Sequence, residues 1–205
     1  MNKVDDYLKQ RLMVSRYFKN VGPMMAQVLR GSAAFPINVR FHGAHINSVS
    51  LHKVMHVVES GQVLVVHDPT LNPGTAKTIH KYDVVMVQFD VASSLYYKSA
   101  LIHEAVHVRT DMRGKAAATI YDEMLAWIVQ AVYLRFGGLR ASNYPGAIDR
   151  RTLPAALSIA DTLLTGNRVN AFQEATLRSA ILAMPAYSEI GGQFLHSDGV
   201  RPIKR

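Results

Sequence analysis

The sequence predicts an α+β chain, with strands gathered in its first half and helices filling its second. Three observations carry that prediction. Short runs before residue 90 alternate apolar with polar residues or are rich in valine, as strands are. From Ser93-Ser94 onward, apolar residues recur at helical spacing almost without a break. At 205 residues, 49% hydrophobic and 19% charged, the chain is long enough for one domain with a sizeable core.

Taken in order, Val4 to Phe18 reads as an amphipathic helix, ended by Gly22-Pro23, and a second helical segment covers Met24–Leu29. In "FPINVRFHG", Ile37, Val39 and Phe41 alternate with polar residues and predict a half-buried strand. "NSVSLHKVMHVVESG" predicts a helix with Ser48 or Ser50 near its start and Gly61 as its stop. "QVLVVHD" reads as a short strand ending at Pro69, "DPTLNPGTAKT" as a loop and "YDVVMVQFD" as a second β-rich run. Helices are expected over Ser94–Met112 and Ala116–Phe136, the latter closed by Gly137-Gly138. After a loop at "LRASNYPGAIDRRT", two more are expected over Leu153–Leu164 and Ala171–Met184. The chain reads as a single domain over 1–205, with a helical N-terminal extension at 1–35 and a flexible tail at 186–205.

The net charge of +8 is unevenly placed: residues 1–40 carry +5, 41–110 carry 0 and 111–205 carry +3. The bases are spread singly, without the aromatic interleaving of single-strand binders, which argues against nucleic acid as a partner. No secretory signal and no run of about 18 apolar residues is visible, so a soluble protein without a membrane span is expected. With no cysteine there is neither a disulfide nor a thiolate metal site. Any metal must sit on histidine and carboxylate.

"SALIHEAVHVRTDMRG" supplies such groups. Residues four apart on a helix lie one above the other, so His103 and His107 can aim their rings at one point. Tyr96, Ala100, His103, His107 and Asp111 form one stripe on a helix otherwise apolar on several sides, as suits a buried helix with an internal polar site. Glu104 lies about 100° around from His103, close enough to reach a metal-bound water and poorly placed to bind the ion. That is what a general base requires, and H-E-x-x-H on a helix carries this chemistry in metalloproteases.

A catalytic zinc takes three protein ligands and keeps a position for water. Thr110 and Arg113 stand where a longer motif would continue with glycine and a third histidine. The next helix offers Glu123, in line with Ile120, Trp127 and Ala131 on an apolar face, where a buried carboxylate without a partner would be costly. Glu123 is therefore the chosen third ligand, with Asp122, Asp111 and His196 as alternatives. Asp111, one turn beyond His107, is also placed to accept a ligand's ring N–H. Tyr82, Tyr96, Tyr97, His80 and His196 are chemically able to stabilise an oxyanion, and none is assigned.

On His103-Glu104-x-x-His107 and "EMLAW" (Glu123 to Trp127), the sequence resembles zincin metallopeptidases of the gluzincin type, over about residues 84–131. It is especially similar to small bacterial metallopeptidase toxin or effector domains. The resemblance implies a zincin-like fold: a small mixed sheet with an edge strand packed on the active-site helix, followed by a mainly helical part. It implies one Zn²⁺ per chain, Glu104 as catalytic base, and His103, His107 and Glu123 as metal ligands. "YDVVMVQFD" is the run expected to be the edge strand against which a peptide lies. A protein or peptide substrate is implied, together with an immunity or inhibitor protein, or a secretion-system component, as partner. Synthesis in the cytoplasm without a signal peptide, and delivery by contact-dependent secretion, complete the expectation. Two other classes fit the same residues: a metal-containing binding module without peptidase activity, and a basic toxin domain acting on nucleic acid.

Overall fold

The computed structural model describes residues 19–71, 75–89, 92–114, 117–139, 151–184 and 194–195. The helix expected over Val4–Phe18 lies outside them, as do most of the loop after Leu139 and most of the tail. Among the described residues the architecture is α+β, with six α-helices and a small mixed sheet.

Strand β1 (Lys19–Asn20) leads into α1 (Gly22–Arg30), where Pro23 occupies the first turn. Proline's fixed φ suits that position, and its missing N–H costs nothing there. Met25 and Leu29 of α1 are buried in the main core, so residues 19–30 belong to the folded body. Strands β2 (Asn38–Phe41) and β3 (Ala44–Asn47) form a hairpin whose loop residues His42 and Gly43 both have positive φ, 44° and 76°. This is the two-residue turn that matches strand twist, and it makes a strand of "AHIN", which periodicity had not marked. Helix α2 (Ser48–Glu59) is capped by Asn47, not by a serine: its side chain accepts from Ser50 N at 2.9 Å.

Strands β4 (Leu64–His67), β5 (Ala76–Ile79) and β6 (Val84–Val87) complete the sheet, in the order β1-β4-β6-β5. β6 runs parallel to β4 and antiparallel to β5. This corrects two expectations. "YDVVMVQFD" supplies the inner strand β6 and not the edge, because Val84–Val87 has no residue to give to solvent. Val85 and Val87 enter the main core, while Val84 and Met86 enter a second cluster with Val66 and Ile79. The edge beside β6 is β5, whose Ala76, Lys77 and Thr78 fall in the segment expected as a loop. Its Lys77 and Thr78 are polar and give periodicity little to mark, yet residues of this kind suit an edge.

Helices α3 (Leu95–Asp111) and α4 (Thr119–Phe136) pack against each other beside the sheet. Ser94 caps α3, accepting from Tyr97 N at 3.1 Å. Residues 101–108 are all buried, and so are 122–134. Helices enclosed on every side need no amphipathic stripe, and polar residues inside them need partners. α5 (Thr152–Leu164) and α6 (Ala171–Leu182) cover the far side of α4. Between α3 and α4, strand β7 (Ala117–Ala118) pairs with β8 (Phe194–Leu195). No helix among the described residues is long and apolar enough to cross a membrane.

Candidate metal centre

The α3–α4 contact brings His103, His107 and Glu123 together, all buried, with one donor atom from each within 4.8 Å of the others. His103 Nε2 lies 3.5 Å from Glu123 Oε2, and His107 Nε2 lies 3.4 Å from Glu123 Oε1. Bonds of the length zinc makes to nitrogen and oxygen give a tetrahedron with edges of about 3.3–3.4 Å. The separations, one to each carboxylate oxygen, would admit an ion between the three side chains. They are longer than ordinary hydrogen bonds, and Glu123 Oε2 is buried without a hydrogen-bond partner. A cation between the rings and the carboxylate would remove that cost. The residues present therefore fit a metal.

Each ring is turned by a partner on its other nitrogen. His103 Nδ1–H donates to Gln130 Oε1 at 3.0 Å, Gln130 Nε2 donates to Ser99 Oγ at 3.1 Å, and Ser99 Oγ donates to the Tyr96 carbonyl at 2.7 Å. His107 Nδ1–H donates to Asp122 Oδ2 at 2.5 Å, and Thr110 Oγ1 donates to Asp122 Oδ1 at 2.6 Å. Each Nε2 is thereby the nitrogen that faces Glu123 and would bind an ion once it carries no proton, the outer arrangement of ligand histidines. Trp127 packs edge-on against His103, with ring centroids 5.2 Å apart.

The charges reinforce one another. Burial opposes a proton on His107, but Glu123 and Asp122 outweigh it and push its pKa up to about 10. Burial raises Asp122 and Glu123, yet the charge on His107 wins and holds both below the usual carboxylate range. Two carboxylates around two imidazoles hold a net negative field that either a proton or a metal ion can answer.

Glu104 is buried beside this group and accepts from Thr78 Oγ1 on the edge strand at 2.7 Å. Of the other candidates, Asp122 is the carboxylate that holds a ligand ring, the duty expected of Asp111. Asp111 is buried instead beside His80, with Oδ2 3.9 Å from Nδ1. His80 itself stands edge-on to His107, with centroids 6.2 Å apart, and Tyr97 is stacked on Phe89 at 4.6 Å. Tyr82 packs against the small second cluster. His196 lies outside the described residues.

Three residues escaped the sequence reading: Gln130, Ser99 and Thr78. Gln130 follows Glu123 by seven, two turns along the same face of an apolar helix, and that spacing was a readable signal. Thr78 had none, because its role depends on which strand forms the edge. No protein-family model, curated protein or solved structure matches the chain.

Proposed function

We propose that the chain is a zinc-dependent metallopeptidase of zincin type. The observation that carries this reading is the buried group of His103, His107 and Glu123, with a second glutamate, Glu104, one residue from a ligand and free of that group. A zinc ion held there would polarise a carbonyl and bring the pKa of its water to about 7. Glu104 takes the proton of the attacking water and delivers it to the leaving nitrogen. Asp122 and Gln130 keep both rings in the tautomer that leaves Nε2 free. Strand β5 would receive an extended peptide by main-chain pairing, a mode that tolerates many sequences. A toxin or effector role, with an immunity or inhibitor partner, belongs to the same reading and rests on the sequence resemblance.

The test is metal analysis of the purified chain with cleavage of unfolded protein substrates by the wild type and Glu104→Gln. About one zinc per chain in both, and cleavage reduced by about 10²–10⁴-fold in the variant, is the expected result. Absence of stoichiometric metal from the wild type would falsify the reading.

A further inference from the structure

The edge strand and the base meet at one contact that the peptidase reading leaves unused. Thr78 Oγ1 donates to Glu104 Oε2, leaving Oε1 without a hydrogen-bond partner among the described residues. Antiparallel pairing fixes where the rest of Thr78 faces. Gln88 N donates to Thr75 O at 2.9 Å, so Thr75 turns its backbone groups toward β6. In an antiparallel ladder that direction alternates, so Ala76 and Thr78 turn their N–H and C=O to the other side. On that side β5 has no strand partner among the described residues. The pleat agrees: Ala76 packs on the main core, toward α3, while Ile79 packs on the second cluster.

We propose that Thr78 is a positioning residue for Glu104: its hydroxyl holds Oε2 and so presents Oε1 to the reacting water. This deepens the peptidase reading and rests on it. A glutamate side chain has three torsions, and a carboxylate with no partner would populate several of their combinations. A charge-assisted bond from a β-branched residue, itself stiff at χ1, selects one. Because the main chain of Thr78 faces the open edge, one residue sets both the base and the line along which a peptide would lie. The competing account is a hydroxyl that only satisfies a buried carboxylate. That role would be felt in stability, with no change in how bound groups are met.

The test uses the full chain loaded with Co²⁺, whose visible spectrum reports its ligands, and acetohydroxamate, a chelator whose bound form hydrogen-bonds a neighbouring carboxylate. Co²⁺ affinity, acetohydroxamate affinity and kcat and KM on an unfolded protein substrate are compared in the wild type, Thr78→Val and Thr78→Ser. Valine keeps the shape and removes the donor; serine keeps the donor. The expected result is unchanged Co²⁺ affinity throughout, with acetohydroxamate about 10- to 100-fold weaker in Thr78→Val, the range of a hydrogen bond to a charged group. Thr78→Ser stays within about threefold of wild type on the same scale, and kcat falls in the valine variant at constant KM. Acetohydroxamate bound equally by valine variant and wild type overturns the proposal, as does loss of Co²⁺ affinity in the valine variant. Should the valine variant not fold, Thr78→Ala carries the same expectation. A wild type that binds Co²⁺ and acetohydroxamate yet cleaves nothing overturns the peptidase reading alone, since the chelator still reads Thr78. A wild type that binds no Co²⁺ overturns both.

Discussion

Asp122 Oδ2 lies 2.5 Å from His107 Nδ1, so the carboxylate next in sequence to the third donor holds the ring of the second. Adjacent residues on α4 divide the work because they point about 100° apart. Glu123 faces the two Nε2 atoms, and Asp122 reaches behind His107.

Asp122→Asn keeps an acceptor near Nδ1 but removes its charge. Metal affinity is expected to fall by about 10- to 100-fold, as for other partners behind ligand histidines. Competition against a chromophoric chelator checks this, with far-ultraviolet circular dichroism showing that the fold is kept.

Glu123→Gln removes the anionic donor and leaves both rings in place. The expected outcome is loss of most of the bound metal, from about one ion per chain to well below half. Elemental analysis after dialysis reads it directly, and retention of a full ion would move the third ligand elsewhere.

The metal-free protein should lose stability as pH rises. Below the unfolded pKa of 6.5, His107 is charged in both states, and its interaction with Glu123 and Asp122 contributes fully. Above 6.5 the unfolded ring is neutral while the folded one still holds its proton, so the contribution declines and is gone once pH passes about 10. Thermal melting of apo protein between those limits should show a falling Tm. Metal must displace that proton, so its apparent affinity should rise about tenfold per pH unit over the same window. Calorimetry in buffers of different ionisation enthalpy counts the proton released.

Gln130→Leu leaves His103 Nδ1 buried without an acceptor. A cost of about 1–3 kcal/mol is expected in urea unfolding of the apo protein. The metal-bound form should show weakened affinity as well, because His103 is no longer held in one orientation.

Gly137→Ala tests the anchoring of α3 far from the site. A Cβ there would stand 2.3 Å from Leu95 Cδ1, the end of a half-buried side chain that must turn aside. A loss of about 0.5–1.5 kcal/mol is expected from the displaced Leu95 rotamer, read as a lower urea midpoint, with metal stoichiometry unchanged.

His103, His107 and Glu123 were legible because polar residues at helical spacing inside apolar runs are costly to bury unless they meet at a shared partner. The helices α3 to α6 were legible by their period. The sheet was not. "AKTI" and "AHIN" are four residues each, too short and too polar for periodicity to mark, and they become strands only through their neighbours. Placing "YDVVMVQFD" at the edge failed because an all-apolar run says that both faces are covered, which is the mark of an inner strand. The ring-holding duty expected of Asp111 falls to Asp122 because stripe geometry orders residues along one helix, whereas Asp122 reaches His107 across two.

The order of synthesis gives the α3–α4 pair a further meaning. Every donor, and the partner behind each ring, precedes residue 131, so the full ligand set is made before α5 and α6 exist. Phe194–Leu195, which pair with Ala117–Ala118 between the two ligand helices, are made later still. An ion captured early would join the two helices as they emerge, ahead of the helices that cover the far side of α4.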